Sequence, residues 1–161
     1  MRELLERYPA STEYMLDMLH DLQDAEPKNY LTEEALRAVA EYVDIPVSEV
    51  VSAATFYTMY SLKPRGRHII RFCESPPCQV VGAETLLEIL SKHLGVGVGE
   101  TTADGLFTLE VSSCLGVCGV APAMMIDTEV HGNLTEERIL EALESVKMTP
   151  AAGNPGGASH G

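Results

Sequence analysis

The chain has 161 residues, of which 45% are apolar and 22% are charged, a composition typical of a compact soluble protein. Its 11 basic and 24 acidic side chains give a net charge of −13, which a nucleic-acid backbone would repel. No apolar stretch approaches the ~20 residues of a membrane helix, and residues 1–7 lack the apolar core of a secretory signal. We therefore expect a cytoplasmic protein that neither binds nucleic acid nor inserts into a membrane.

The first third of the chain is predicted to be helical, because apolar residues recur there at helical spacing in three segments. The first segment follows Ser11, the second follows the natural N-cap Thr32, and the third begins at Pro46. In the third helix we expect these side chains to face the interior: Val47, Val50, Val51, Ala54 and Tyr57. We assign residues 1–62 to an N-terminal helical domain.

The pattern changes from residue 63 onward to a mixture of strands and helices. The predicted elements are a strand over 67–72, a helix over 82–93, strands over 107–111 and 123–126, and a last helix after Thr135. This β-α-β-β-α order is typical of one sheet covered by helices, so the fold class is α+β. We assign residues 63–148 to this second domain. Residues 149–161 are rich in Gly, Pro, Ala and Ser, and we expect a disordered tail.

The four cysteines form two closely spaced pairs. Cys73 and Cys78 have C-x4-C spacing, and Cys114 and Cys118 have C-x3-C spacing. Each pair follows a predicted strand, in a loop rich in Gly, Pro and Ser. If the two strands are neighbours and the loops lie at the same end, the four sulfurs converge. These four thiols are the candidate metal- or cofactor-binding residues.

Several chemistries use converging thiols. A disulfide framework needs an oxidising compartment, and a thioredoxin-type dithiol needs a C-x-x-C motif that this chain lacks. Structural zinc usually uses C-x2-C, although wider loops occur, whereas a [2Fe-2S] cluster tolerates C-x4-C. The N–H groups of Gly116 and Gly119 and the hydroxyl of Ser75 could donate hydrogen bonds to sulfur, which favours the cluster. Zinc remains open at this point.

Two further features concern charge and catalysis. Lys63, Arg65, Arg67 and Arg71 precede the first cysteine closely, either as a solvated surface or as a positive field beside a negatively charged site or partner. His68 is the histidine nearest to the cysteines in sequence. We recognise no nucleophile–base arrangement and no glycine-rich dinucleotide loop, so we predict no catalytic residue on this chain.

Short motifs in a fixed order connect the chain to a known family. These motifs are Ala54–Tyr60, Pro64–His68, Cys73 with Cys78, Asp104–Glu110, Cys114–Cys118, Ala121-Pro122 and Leu134-Thr135. From about residue 30 to residue 146, the chain resembles the small thioredoxin-like [2Fe-2S] subunit of NADH:quinone oxidoreductase (complex I). Close relatives of that subunit serve NAD-linked hydrogenases and formate dehydrogenases.

The resemblance implies a function and a set of partners. It implies that Cys73, Cys78, Cys114 and Cys118 ligate one [2Fe-2S] cluster in a thioredoxin-like domain that follows a helical one. It implies a non-catalytic electron-transfer subunit beside a flavoprotein subunit that carries FMN and binds NAD(H), with further iron–sulfur subunits. The parent complex would be a complex I-like dehydrogenase module, an NAD-dependent or electron-bifurcating hydrogenase, or a formate dehydrogenase. The alternative is a structural zinc module that helps to assemble such a complex.

Overall fold

The computed structural model describes residues 1–148, and the predicted tail at 149–161 lies outside this range. The described residues divide into two compact units, Met1–Arg65 and residues 66–148. The assignment of domains to 1–62 and 63–148 stays a prediction. Within the described range, no helix combines the length and the apolar character needed to cross a membrane.

The first unit consists of helices. Its elements are α1 (Arg2–Leu5), a 3-10 turn (Thr12–Tyr14), α2 (Met15–Ala25), α3 (Glu33–Val43) and α4 (Val47–Phe56). Thr32 caps α3 as predicted, since its hydroxyl oxygen accepts the N–H of Ala35 at 3.1 Å. Two acidic residues in the first turn of α3 add a favourable interaction with the helix dipole.

The helices of this unit share one apolar core. Its largest fully buried side chains are Met18, Leu19 and Leu31, and the other buried members include Leu22, Leu36, Val39, Val43, Val50 and Ala54. The prediction that Val47 and Tyr57 face the interior is wrong, because they are 36% and 37% exposed. Val47 begins α4 and Tyr57 follows its last residue, so neither has a neighbouring helix turn on both sides.

Buried polar side chains fix the segment that follows α4. Gln23 is buried, its amide N–H donates to the Met59 carbonyl at 3.0 Å, and its amide oxygen accepts the Ser61 N–H at 2.8 Å. The buried Tyr60 donates its hydroxyl to the Leu16 carbonyl at 2.7 Å. These bonds satisfy both polar groups of the Gln23 amide without water, and they fix the backbone at Met59 and Ser61. The segment is therefore held in place although neighbouring residues in the sequence are exposed.

The second unit is built on a four-stranded sheet. Its strands are β1 (His68–Cys73), β2 (Phe107–Ser112), β3 (Met124–Ile126) and β4 (Glu129–His131), in the spatial order β2-β1-β3-β4. β1 and β2 are parallel, and the other two pairs are antiparallel. The helices are α5 (Pro76–Val80), α6 (Ala83–Leu94) and α7 (Glu136–Met148). The α+β class predicted from the sequence is therefore confirmed.

A single apolar core holds this sheet and its helices together. Residues of β1, β2 and β3 pack with Leu90 of α6 and with Ile139 and Leu143 of α7, all of them fully buried. The structure contains two elements that the predicted order lacks. One is α5, whose prolines suit the first helical turn, where a missing N–H costs nothing. The other is β4, which has only three residues and a mostly exposed pattern.

Candidate metal centre

The parallel pairing of β1 and β2 brings the two cysteine loops to one edge of the sheet. Cys73 is the last residue of β1 and lies opposite Ser112, the last residue of β2. Cys114 follows two residues later. Because the carboxyl ends of neighbouring parallel strands meet at the same edge, both loops leave the sheet side by side. The four thiols can therefore converge without a rearrangement of the sheet.

The first thiol pair is buried. Cys73 and Cys78 are each 2% exposed, and their thiols are hydrogen-bonded to each other. The backbone positions both residues, since the Cys73 N–H donates to the Ala123 carbonyl at 3.1 Å and the Cys78 N–H donates to the Ser75 carbonyl at 2.9 Å. The second of these bonds closes the first turn of α5. A short helix thus turns Cys78 back toward Cys73.

The second thiol pair is exposed. Cys114 accepts the N–H of Gly116 at 3.3 Å and is hydrogen-bonded to the Cys118 thiol. Gly116 has φ of 76°, a left-handed conformation that turns its N–H back onto the sulfur at little steric cost. Ser75 of the first loop also hydrogen-bonds Cys114. The Ser75 side chain therefore connects the two loops, as the sequence analysis proposed for a donor to sulfur.

The environment shifts the ionisation of the thiols in opposite directions. Burial and the hydrogen bond with Cys73 raise the pKa of Cys78, which also responds to the nearby Cys118. The pKa of Cys114 is lowered, first by the Gly116 N–H and then by the Cys118 thiol. The hydrogen bond to Cys114 raises the pKa of Cys118, and Cys73 adds to that rise. These mutual effects show that both pairs lie within interaction range, and that Cys114 ionises more readily than Cys78 or Cys118.

The chain around Cys118 is held by backbone contacts that the sequence did not reveal. A 3-10 turn covers Cys118–Val120, and the Ala121–Pro122 bond that follows is cis. The carbonyls of Val120 and Pro122 accept the N–H groups of Asn133 at 2.6 Å and Leu134 at 3.0 Å. Such bonds involve no characteristic side chain. The nearest sequence signal is Gly132, which has no room for a Cβ against Val120.

The basic run is divided between the two units. Lys63 and Arg65 belong to the helical unit, where Arg65 is buried and donates from Nε to the Asn29 carbonyl at 2.6 Å. Arg67 and Arg71 belong to the sheet unit, and Arg71 pairs with Glu110 on the neighbouring strand at 3.6 Å. Arg65 and Arg71 thus make contacts inside their own units.

His68 is distant from the thiols. Its Nδ1 lies 2.7 Å from Oδ2 of Asp127, and the residue is buried. His68 begins β1 and Cys73 ends it, so the extended strand separates them by roughly 16 Å. His68 is a paired core histidine of this unit and does not join the candidate ligand set.

Comparisons with known proteins identify the family of this chain. The family model of the thioredoxin-like [2Fe-2S] ferredoxins matches residues 1–147. The chain is 42% identical to a subunit of the NADH-quinone oxidoreductase of Pseudomonas aeruginosa over 118 residues, which cover 73% of this chain and 71% of that protein. It is 36% identical to the corresponding subunit from Mycobacterium tuberculosis over 152 residues, 94% of this chain and 60% of that protein.

Solved structures show the same fold. An NAD+-reducing [NiFe]-hydrogenase in the air-oxidised state matches with a TM-score of 0.74 at 22% identity, over 94% of this chain and 27% of that chain. This chain therefore spans about a quarter of that hydrogenase chain and somewhat under two thirds of the mycobacterial relative. The resemblance and the thioredoxin-like fold predicted from the sequence are confirmed. The chain belongs to the family of thioredoxin-like [2Fe-2S] ferredoxins.

Proposed function

We propose that this chain is an electron-transfer subunit of a multi-subunit NADH-linked oxidoreductase and holds one [2Fe-2S] cluster on Cys73, Cys78, Cys114 and Cys118. The observation that carries the proposal is the meeting of two thiol pairs at one edge of the β1–β2 sheet. Four thiolates are the standard ligand set of such a cluster. Membership of the [2Fe-2S] ferredoxin family supports the assignment.

The arrangement of the thiols fits two irons better than one zinc. A structural zinc needs four ligands around one point, with Zn–S distances of about 2.3 Å. A [2Fe-2S] cluster needs two ligands at each of two irons. The pairs Cys73–Cys78 and Cys114–Cys118 offer two thiols from each loop, which matches the second requirement and supports the cluster.

The chain's own residues prepare this site for a change of charge. When bound, the cluster accepts and releases single electrons. Because Cys73 and Cys78 are buried, water is excluded from their side of the site. Cys114 and Cys118 are exposed to solvent. The Gly116 N–H and the Ser75 side chain donate to Cys114, and such donors stabilise negative charge on sulfur. Because these donors are already in place, less rearrangement is needed when an electron arrives.

The proposed partners rest on the family resemblance together with the names of the relatives. Relatives named as subunits of NADH-quinone oxidoreductase imply that further subunits surround this one. We assign FMN and NAD(H) to a flavoprotein partner only, and we expect further iron–sulfur subunits beyond it. This chain then carries electrons without binding substrate, in the cytoplasm. The parent enzyme is a complex I-like dehydrogenase, an NAD-dependent or electron-bifurcating hydrogenase, or a formate dehydrogenase.

The test is a metal analysis of anaerobically purified protein, combined with low-temperature EPR after dithionite reduction. We expect two irons and two acid-labile sulfides per chain and a spin-half signal in the reduced state. Replacement of any one of the four cysteines by alanine should then lower the iron content and abolish or alter the signal. One zinc per chain without sulfide would contradict the proposal and establish the zinc module instead.

A further inference from the structure

An exposed apolar surface follows α4 in the helical unit. We define the aromatic patch as Phe56, Tyr57, Met59 and Leu62, which are 78%, 37%, 39% and 39% exposed. The rings of Phe56 and Tyr57 meet edge to face with their centroids 5.0 Å apart. These residues fall within or directly beside the Ala54–Tyr60 motif, which the cluster site leaves without a role. Large exposed side chains in such a group usually mark a binding surface.

The composition around the aromatic patch is that of an interface core. Residues 50–62 contain no Asp, Glu, Lys or Arg, although residues 1–65 carry six basic and twelve acidic side chains. Charged residues are depleted at the centres of protein–protein interfaces, whereas Phe, Tyr and Met are enriched there. All twelve acidic side chains of residues 1–65 lie outside the stretch 50–62.

The aromatic patch is ordered before any partner arrives. Gln23 fixes the backbone on either side of Tyr60 through its bonds to Met59 and Ser61. Tyr60 packs edge to face against His20, with ring centroids 5.3 Å apart, and His20 Nε2 lies 3.1 Å from the sulfur of Met59. A surface that is already held in place loses little conformational entropy when it is covered.

The acidic helix α2 lies beside this surface, because His20 of α2 contacts the Met59 sulfur and the Leu16 carbonyl accepts the Tyr60 hydroxyl. This helix carries three Asp residues and no Lys or Arg. Burial, followed by the charge of Asp17 and a smaller contribution from Asp24, raises the pKa of Tyr60 to about 12. Both carboxylates belong to α2, on the helix that also carries His20. A partner that covers the aromatic patch therefore meets negative charge at its margin, and basic side chains on the partner would complement it.

We propose that the aromatic patch inserts into an apolar pocket with a basic rim on the flavoprotein subunit, and that it anchors this chain there. The inference rests on the proposed function for the identity of the partner. Charge argues against two other occupants: a second copy of this chain would bring two acidic units together, and an anionic membrane surface would repel the unit. Aromatic anchors seated in pockets carry a large share of binding energy in many interfaces.

The experiment measures the affinity of the full cluster-loaded chain for the purified FMN-binding flavoprotein subunit of the same organism. Replacement of the most exposed member, Phe56→Ser, should weaken binding at least ~30-fold, as expected for an interface hot spot. Val47→Ser is the matched control, because Val47 is a 36% exposed apolar residue at the other end of α4. The control should bind as the wild type does. Both variants should keep the iron content and EPR signal, because the helical unit holds none of the four thiols.

The outcomes separate this inference from the function on which it rests. If the wild type binds the flavoprotein and Phe56→Ser binds equally well, the docking surface is wrong and the function stands. If the wild-type chain dimerises and Phe56→Ser makes it monomeric without a change in flavoprotein affinity, the occupant is a second copy and the inference is again wrong. If the wild type carries the cluster but does not bind the flavoprotein, both the partner and the docking surface are wrong.

Discussion

Gly132 lies against Val120 so closely that a Cβ on Gly132 would overlap the Val120 side chain and come within 3.0 Å of its carbonyl oxygen. Val120 ends the 3-10 turn that begins at Cys118. The next residue, Asn133, donates its N–H to that same carbonyl at 2.6 Å. The absence of a side chain at Gly132 thus lets the chain after β4 hold the second cysteine loop in place.

Replacement of Gly132 by alanine should therefore disturb the Cys118 loop. We expect the variant to lose about 1–3 kcal/mol of stability, as is typical when an atom is forced into a packed site. Displacement of Val120 should also move Cys118, so the iron content of the purified variant should fall. Urea unfolding of the apoprotein and iron analysis of the loaded protein measure the two effects.

Gly119, which lies within the Cys118 loop itself, provides the control. A Cβ on Gly119 would have no heavy atom within 4 Å, and Gly119 has no positive φ. Gly119→Ala should accordingly retain both the stability and the iron content of the wild type. Equal behaviour of the two variants would show that the contact between Gly132 and Val120 does not position the loop.

The burial of only one thiol pair predicts different effects of cysteine replacement on the apoprotein. Cys78→Ala removes a buried sulfur and should cost about 1 kcal/mol or more, because a small cavity remains. Cys114→Ala removes an exposed sulfur and should change the stability by less than about 0.5 kcal/mol. Both should abolish or damage the cluster. Equal stability losses in the two metal-free variants would contradict the burial difference.

Gln23 makes two buried hydrogen bonds that a leucine cannot make. Gln23→Leu leaves the Met59 carbonyl and the Ser61 N–H without these partners, so the helical unit should lose about 1–3 kcal/mol of stability. Thermal unfolding followed by circular dichroism measures the loss. Glu41→Ala, at an exposed position late in α3 of the same unit, is the control and should have little effect. A Gln23→Leu variant as stable as the control would show that these two bonds contribute little.

The raised pKa of Tyr60 predicts a loss of stability at alkaline pH. An unfolded tyrosine titrates near pH 10, whereas burial raises the pKa of Tyr60 to about 12. Below about pH 10 both states keep the proton; between about pH 10 and 12 the unfolded chain loses it first, so stability falls as pH rises. The full effect corresponds to about 2–3 kcal/mol.

The variant Tyr60→Phe isolates this contribution. It should lose about 1 kcal/mol near neutral pH, because the bond to the Leu16 carbonyl is gone, yet its stability should fall less steeply above about pH 10. Urea unfolding at several pH values on either side of 10 compares the two slopes. Equal slopes would show that Tyr60 does not cause the alkaline loss.

The prediction of the fold from the sequence succeeded where the pattern is long and periodic. The strand expected at 67–72 is β1 at His68–Cys73, and the helix expected at 82–93 is α6 at Ala83–Leu94. It failed for α5 and β4, which are too short to show a period. The inward orientations predicted for Val47 and Tyr57 were wrong, because apolar residues at helical spacing do not show where the neighbouring helix ends.

The site was predictable in its thiols but not in its surroundings. Cysteine spacing identified the two pairs, and Ser75 and Gly116 were recognised as donors because their chemistry is visible in the sequence. The contacts of Ala123 with the first pair are made by its backbone, which any residue type possesses. The difference in burial between Cys78 and Cys114 arises from packing against a sheet whose order no single loop encodes.

The parallel pairing of β1 and β2 also sets the order in which the protein can be assembled. During synthesis Cys73 and Cys78 emerge early, but α6 and the whole of β2 must follow before Cys114 appears. Until β2 joins β1, the chain offers only one pair of thiols, which is half of a ligand set. With the proposed ligand set, iron incorporation must therefore follow the pairing of β2 with β1, so a loaded cluster would report that the sheet is complete.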